Sequence, residues 1–209
     1  MARYVGPKCK ICRREGEKLF LRGSRCYTDK CSFIRKGYPP GMHGKVGRRK
    51  LTSYATQLRE KQKVKAIYGV LEAQFRKIFR DATKMAGAPG ENLLILLERR
   101  LDNVIYYFGF ASSRIQARQI VRHGHIMVDG KKVDIPGYLV RPNQVISLTE
   151  KMRKNLLVKR ALEERDPEKI TGWLKLNKED MTGTILRLPK REDVTIPLQE
   201  NLIVELYSK

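Results

Sequence analysis

The cysteines constrain this chain most, because all four lie in two close pairs within the first 31 residues. Two residues separate Cys9 from Cys12, four separate Cys26 from Cys31, and thirteen lie between the pairs. Two such pairs can present four thiolates tetrahedrally to one Zn²⁺, and four protein ligands leave no open position for a substrate. The spacing therefore predicts a structural zinc site. An iron–sulfur cluster on the same thiolates, or four ordinary reduced cysteines, are the alternatives.

The surroundings of the cysteines favour a metal. Lys8, Lys10, Arg13 and Arg14 stabilise thiolate over thiol and offset the negative charge of such a site. Residues 1–45 are also poor in apolar side chains, so this segment could hardly fold without a cross-link of this kind. We therefore interpret residues 1–45 as a metal-binding basic extension.

The charge of the chain narrows the class of partner. Lys and Arg number 44 against 22 Asp and Glu, a formal net charge of +22 at pH 7. So large a surplus repels itself in the free protein and is typical of a protein that lies beside a polyanion. Nucleic acid is the first candidate and an anionic membrane surface the second. No stretch approaches the roughly 18 consecutive apolar residues of a membrane span, and no apolar leader follows Met1, so we expect a cytosolic protein.

The surplus is concentrated in two segments. Residues 1–50 carry a net charge of +12 and residues 99–160 a net charge of +9, whereas residues 67–98 are neutral. Two separated basic blocks on either side of a neutral helical stretch favour nucleic-acid binding over a merely solvated surface.

Hydrophobic periodicity and turn residues predict the secondary structure. Ser53 is the predicted cap of a helix that ends at Gly69, a second helix follows over 71–82, and a third runs from about residue 92 to 108. After a helix capped by Ser112 or Ser113, a short strand at 126–128 and a return strand that begins at 131–133 flank the tight-turn pair Asp129-Gly130. A further strand is predicted at 144–148. Strands are predicted at 173–176 and 184–188, and residues 202–207 fit either a helix or a strand.

The helix after Ser113 carries the second basic block. Arg114, Arg118 and Arg122 recur every four residues and form one stripe, whose mutual repulsion phosphate groups would convert into attraction. Together with the first block they give the candidate RNA-binding residues: Arg3, Lys8, Arg13, Arg14, Arg48, Arg49, Lys50, Arg59, Lys61, Lys63, Arg114, Arg118, Arg122, His123, Lys131 and Lys132.

Several short motifs of the second block resemble the ribosomal S-four RNA-binding domain. They are Leu101-Asp102-Asn103-Val104, Gly109-Phe110, Ser113-Arg114, Ala117-Arg118-Gln119, His123-Gly124-His125-Ile126 and Val128-Asp129-Gly130. Segments outside that domain extend the resemblance to the whole chain and to the bacterial small-subunit ribosomal S-four family, in the subset with four N-terminal cysteines. They are Ala2-Arg3-Tyr4-Val5-Gly6-Pro7, Arg59-Glu60-Lys61-Gln62-Lys63 and Asn201-Leu202-Ile203-Val204-Glu205-Leu206-Tyr207-Ser208.

The resemblance implies an α+β fold with three parts. The basic extension leads into a helical domain over 46–98 that is closed by the C-terminal return at about 190–209. An inserted domain over 99–189 carries the RNA-binding module, at about 99–162, in which two helices pack on a short antiparallel sheet.

The resemblance also implies a function. It predicts a cytoplasmic ribosomal protein that binds small-subunit ribosomal RNA at a multi-helix junction of the 5′ domain early in assembly. It further implies contact with ribosomal protein S-five and a position near the point where mRNA enters the ribosome. There Arg48, Arg49 and Lys50 would contribute to translation and its accuracy. No enzyme activity, small-molecule substrate or membrane is implied.

Two other classes use similar features. An RNA-modifying enzyme can carry the same module, but the sequence shows no nucleophile–base arrangement and no phosphate-cradling glycine loop. A DNA-binding regulator could use the basic face, but nothing resembles a base-reading finger or a dimerisation zipper.

Overall fold

A computed structural model describes residues 3–46, 50–163 and 171–208. The chain divides into two compact units, one formed by Met1–Gly90 with Pro197–Lys209 and the other by Glu91–Ile196. Arg48 and Arg49, which we predicted to bind RNA, lie outside the described residues. Among the residues that are described, no helix has the length and apolar character that crossing a membrane requires.

The first unit is helical. Its elements are α1 (Lys8–Glu15), a 3₁₀ turn (Gly23–Tyr27), α2 (Ser32–Arg35), a second 3₁₀ turn (Met42–Lys45), α3 (Ser53–Tyr68), α4 (Glu72–Thr83) and α10 (Glu200–Tyr207). The last residues, which sequence left open between helix and strand, form α10 and pack against α3. Tyr207 of α10 stacks on Phe75 and Phe79 of α4, with ring centroids 6.2 and 4.6 Å apart. The C-terminal helix therefore completes the core of this unit.

The cap of α3 lies one residue earlier than predicted. Thr52 has extended backbone angles, and its hydroxyl accepts a hydrogen bond from the Ala55 N–H at 3.2 Å. The predicted cap, Ser53, is instead the first residue of the helix. The hydroxyl of either Thr52 or Ser53 could cap a helix, and here the helical backbone angles begin after Thr52. Gly69 ends the helix with φ at 62°, as predicted for a left-handed terminal residue.

The second unit combines helices with one antiparallel sheet. It contains α5 (Pro89–Glu98, which begins just before the boundary), α6 (Leu101–Tyr107), α7 (Arg114–Arg122), β1 (Ile126–Val128), β2 (Lys131–Lys132), β3 (Val145–Leu148), α8 (Glu150–Arg153), α9 (Leu156–Glu163), β4 (Leu174–Asn177), β5 (Thr182–Ile185) and a 3₁₀ turn (Arg191–Asp193). The strand order is β2-β1-β3-β5-β4. Helices packed on a small antiparallel sheet confirm the predicted α+β class.

The third predicted helix is wrong as a single element, because the chain breaks between α5 and α6. Arg100 takes up an extended conformation, with ψ at 135°, and forms an isolated bridge with Leu139. The Leu101 N–H donates to the Tyr138 carbonyl at 2.9 Å. A continuous apolar stripe concealed this break, since both helices present the same kind of face to the core.

The β1–β2 hairpin follows the predicted turn chemistry. Asp129 and Gly130 both have positive φ, 50° and 77°, as a tight two-residue hairpin turn requires. The Asp129 carboxylate also accepts the Val145 N–H at 2.9 Å, which ties the turn to β3. The hairpin thus holds Lys131 and Lys132 at one edge of the sheet, where both are exposed.

Candidate nucleic-acid interface

The four cysteines converge on one pocket in the first unit. Cys9 and Cys12 come from α1, Cys26 from the 3₁₀ turn and Cys31 from the start of α2, and all four line the pocket together with Leu21 and Phe33. All four thiols are unpaired by disulfides. The Arg22 N–H donates to Cys26 Sγ at 3.3 Å. The chain therefore brings the predicted ligands together around one space.

Without a bound cation, this pocket favours the thiol over the thiolate form of Cys12 and Cys26. Burial raises the pKa of the Cys12 and Cys26 thiols, and negative charge on the other cysteines raises both pKa values further. In the part of the chain that the structure describes, no three histidine, cysteine, aspartate or glutamate side chains are already arranged to hold a metal ion directly. Soft sulfur donors around one pocket are nevertheless the donor set that zinc prefers.

Several predicted RNA-binding residues lie in the first unit, and one of them, Lys8, lines this pocket. Lys8 Nζ donates to the Tyr4 carbonyl at 2.6 Å and lies 4.3 Å from the centroid of the Tyr4 ring. Arg13 Nε donates to the Tyr38 carbonyl at 3.0 Å. Arg3, Arg14 and Lys50 are exposed.

The basic residues of α3 are used differently from our expectation. Lys61 Nζ lies 2.9 Å from a Glu72 carboxylate oxygen, and Arg59 pairs with Glu15 at 3.2 Å. Lys63, which is buried, pairs with a Glu17 carboxylate oxygen at 2.9 Å and donates to the Pro197 carbonyl at 3.0 Å. Lys61 and Lys63 therefore hold the first unit together, and the expectation that they face phosphates does not fit their burial.

Arg118 departs most clearly from its predicted role. It is buried, and its guanidinium pairs with Asp102 Oδ2 at 3.1 Å. Arg100 binds the same carboxylate through two hydrogen bonds, of 3.1 and 2.9 Å. The expectation of an exposed three-arginine stripe is wrong at Arg118, because α7 turns this position towards α6, where Asp102 offers a buried partner.

Arg114, one turn earlier on α7, is half-buried against aromatic rings. Its guanidinium carbon lies 4.5 Å from the Tyr106 ring centroid, and Nε donates to Asn103 Oδ1 at 2.7 Å. Asn103 in turn donates to a Glu98 carboxylate oxygen at 2.6 Å. This chain of contacts fixes the orientation of the Arg114 guanidinium, an arrangement suited to presenting it to a planar or anionic group.

An exposed basic surface forms where α7 meets β1, and we call it the α7–β1 cluster. Electrostatic or ring contacts link the half-buried His125 with His123, Lys132 and Lys151. We include Arg122 and Lys131, the exposed neighbours of His123 and Lys132 along the chain. The two histidine rings lie 6.2 Å apart. The side chain of Lys132 occupies the space beside Gly124, where a Cβ would collide with it. Partial burial, followed by the charges of His123, Lys151 and Lys132, lowers the pKa of His125.

Sequence reasoning missed two members of this cluster. His125 belongs to the motif His123-Gly124-His125-Ile126, but we predicted an RNA-binding role only for His123. Lys151 lies on α8, and the Thr149 N–H donates to the His125 carbonyl at 3.0 Å, which brings the two segments together. Side chains alternate between the two faces along β1, and this pattern, extended back by one residue, could have indicated that His125 faces away from the core. Nothing in the sequence indicates that residue 151 lies beside it.

Comparison with known proteins agrees with this arrangement. Residues 3–98 match the family model described as "Ribosomal protein S4/S9 N-terminal domain", and residues 99–146 match "S4 domain". Relatives include the "Small ribosomal subunit protein uS4" of Thermoanaerobacter sp. strain X514, 58% identical over 209 residues, or 100% of both chains. The proteins of that name from Thermodesulfovibrio yellowstonii and Citrifermentans bemidjiense are each 57% identical over the same full length. Sequence, fold and full-length similarity together establish that this chain belongs to the uS4 family of small ribosomal subunit proteins.

Proposed function

We propose that this chain is a structural component of the small ribosomal subunit in the cytoplasm and binds its ribosomal RNA without covalent chemistry. The observation that carries the proposal is the α7–β1 cluster, in which the fold brings arginine, lysine and histidine side chains together within and just beyond the S4-domain match. Gathering like charges costs free energy in the isolated protein, and phosphate groups reverse that cost.

The mechanism is electrostatic. Exposed Arg and Lys side chains neutralise phosphates and release counterions, so affinity should fall by orders of magnitude between about 50 and 200 mM monovalent salt. The rigid α7 and the short sheet fix the spacing of the cations, and structured RNA is read mainly through its shape. Arg122, Lys131 and Lys132 would contact phosphates, with Arg114 held ready by Asn103.

The finer role that we propose is that of a primary binder at a multi-helix junction of the 5′ domain, which nucleates assembly. Contact with ribosomal protein S-five, and a place near the entering mRNA, complete this proposal. The full-length similarity to the uS4 relatives supports it, since no segment of the chain falls outside the match. Exposed Lys50 is the described member of the basic group assigned to the mRNA.

The test is direct binding to the isolated 5′ domain of small-subunit ribosomal RNA, with duplex DNA and unrelated structured RNA as competitors. Replacing both Arg122 and Lys132 by alanine should weaken binding and flatten the plot of log affinity against log salt by roughly one to two units, since two phosphate contacts are lost. Lys175→Ala, on the exposed side of β4, is the matched control and should change neither quantity. An unchanged slope in the double variant would place the RNA elsewhere.

We also propose that Cys9, Cys12, Cys26 and Cys31 hold one structural Zn²⁺. The convergence of the thiols on one pocket supports this, as does the Arg22 N–H donated to Cys26 Sγ, because amide donors stabilise a thiolate. The bound metal would offset the negative charge of the four thiolates and would cross-link α1, the 3₁₀ turn and α2.

Metal analysis of the purified protein tests this second proposal. We expect about one zinc per chain, as a single tetrahedral site requires. Cys9→Ser should loosen residues 1–45, seen as faster amide exchange, while the second unit stays folded. Visible absorption from iron and sulfide would favour the cluster alternative. Metal-free protein with slow amide exchange throughout α1 and α2 would contradict both.

A further inference from the structure

Two aromatic rings form an exposed stack beside the cysteine pocket. The ring centroids of Phe20 and Tyr27 are 5.0 Å apart and their planes differ by 28°. Phe20 is 39% exposed and Tyr27 is 70% exposed. Offset stacking satisfies one face of each ring. The exposure of Tyr27 leaves much of its ring surface open to solvent.

The chain places Phe20 outward although smaller apolar neighbours point inward. Leu19 and Leu21 are buried, while the larger ring between them is not. Phe20 also has a φ of 49°, in the left-handed region that bulky side chains rarely adopt. Local folding alone would favour asparagine or glycine at this position. A large exposed ring on an unfavourable backbone is typical of a position selected for binding.

The surroundings of the stack are cationic. Lys18 Nζ lies 6.0 Å from the centroid of the Phe20 ring. Arg22 and Arg25, two residues from Phe20 and Tyr27 respectively, are exposed, as is Lys30. A protein surface that buries an apolar partner is usually depleted of lysine. Aromatic faces among flexible cations are instead the combination that binds single-stranded nucleic acid.

We propose that Phe20 and Tyr27 form a stacking platform for one unpaired nucleobase of RNA, with the neighbouring cations on the adjacent phosphates. The base would lie on the solvent-exposed part of the Tyr27 ring and extend the existing stack, with Phe20 on the other side of Tyr27. Every base has a π-face, so this contact selects unpaired over paired nucleotides rather than one base over another. The proposal rests on the RNA-binding function proposed above and adds a second kind of contact to it.

The experiment compares two RNA probes on the full-length protein. One is a single-stranded oligonucleotide of about 12 nucleotides, within the usual range of such sites, and the other is an RNA duplex of the same length, both measured by fluorescence anisotropy at one salt concentration. Tyr27→Ala should weaken single-strand binding roughly tenfold, as loss of one stacked base does elsewhere, and leave duplex binding unchanged. Tyr54→Ala removes another exposed tyrosine of the same unit and should change neither affinity.

A second variant separates stacking from folding. Phe20→Asn removes the ring but suits a left-handed backbone better, so the local fold should be kept or stabilised. We expect weaker single-strand binding with unchanged duplex binding here as well. The proposal is overturned if both variants keep wild-type single-strand affinity, or if both lose single-strand and duplex affinity equally, since the rings would then be only structural. Failure of the wild-type chain to prefer the 5′ domain would instead refute the proposed function, whatever these variants do.

Discussion

Replacing Arg118 by methionine separates the structural arginine of α7 from the RNA-facing ones. The substitution removes the charge but keeps an unbranched side chain of similar length, so packing of the aliphatic part is largely preserved. Arg118 is buried and binds Asp102, a carboxylate that Arg100 also holds. The predicted effect is therefore on the stability of the second unit, with no direct effect on RNA.

The magnitude follows from the contacts that are lost. A hydrogen bond to a charged group contributes about 1.5–3 kcal/mol. Arg118→Met gives up the 3.1 Å hydrogen bond to Asp102, while Arg100 still neutralises this carboxylate. We expect a loss of about 2 kcal/mol in the free energy of unfolding, or about 10 °C in Tm for a unit of this size. Asp102→Asn removes the buried carboxylate that the Arg100 and Arg118 guanidinium groups share and should cost about 3–5 kcal/mol.

The only tryptophan of the chain makes the measurement specific to this unit. Trp173 is fully buried in the core of the second unit. Its fluorescence during urea unfolding therefore reports on that unit. Arg122→Met, one turn further along α7 and exposed, is the matched control. It should change the free energy of unfolding by less than about 0.5 kcal/mol but weaken RNA binding.

The opposite pattern would refute the reasoning. If Arg118→Met unfolds at the same urea concentration as the wild type yet binds RNA less tightly at low temperature, Arg118 must leave Asp102 and contact phosphate. The stripe of Arg114, Arg118 and Arg122 that the sequence predicts would then describe the RNA-bound protein better than the Arg118–Asp102 ion pair does.

Three further outcomes follow from other contacts. Two lysine partners and Tyr207 hold the pKa of Glu72 down to about 2, so its contribution is present above the ordinary value of 4.5 and is lost as pH falls towards 2. With a discount for the partial exposure of Glu72, this contribution is about 1–2 kcal/mol. Glu72→Gln should therefore weaken the pH dependence of the stability of the first unit in acid, which amide exchange in α3 would measure. Gly183→Ala would place a Cβ against the buried Phe108 ring and should cost about 1–3 kcal/mol in urea unfolding. RNA affinity should rise as pH falls from 7.5 to 6, because phosphate favours the charged form of His125, whose pKa the free protein lowers; His125→Gln should reduce this dependence, and an unchanged pH profile would exclude that residue from the interface.

Residues that favour turns and helix ends made much of the fold predictable. Gly69 and the Asp129-Gly130 pair sit where only a few residue types relieve backbone strain, so their sequence identity fixes a turn whatever the rest of the chain does. The gap between α5 and α6 was not predictable in this way. Arg100 is extended and forms a bridge with Leu139, a partner distant in the sequence that only folding brings beside it.

The same reason limited the prediction of the site. The exposure of cations such as Lys131 and Arg122 can be predicted from strand and helix patterns, because it depends only on which face of the element carries the residue. Arg118 lies 16 residues from Asp102, and no periodic rule links the two. The convergence of Cys9 with Cys26 was predictable, since the spacing of thiols itself carries the information.

The acidic residues explain how one chain separates structural cations from binding ones. Acids are half as numerous as bases, and several of them pair with cations of their own unit. Glu72 holds two lysines, Asp102 holds two arginines, and Asp193 holds Arg187 at 2.7 Å. Each such contact uses a carboxylate that would otherwise repel phosphate. Ion pairing within the fold therefore fixes the scaffold and at the same time leaves the α7–β1 cluster with cations that RNA can neutralise.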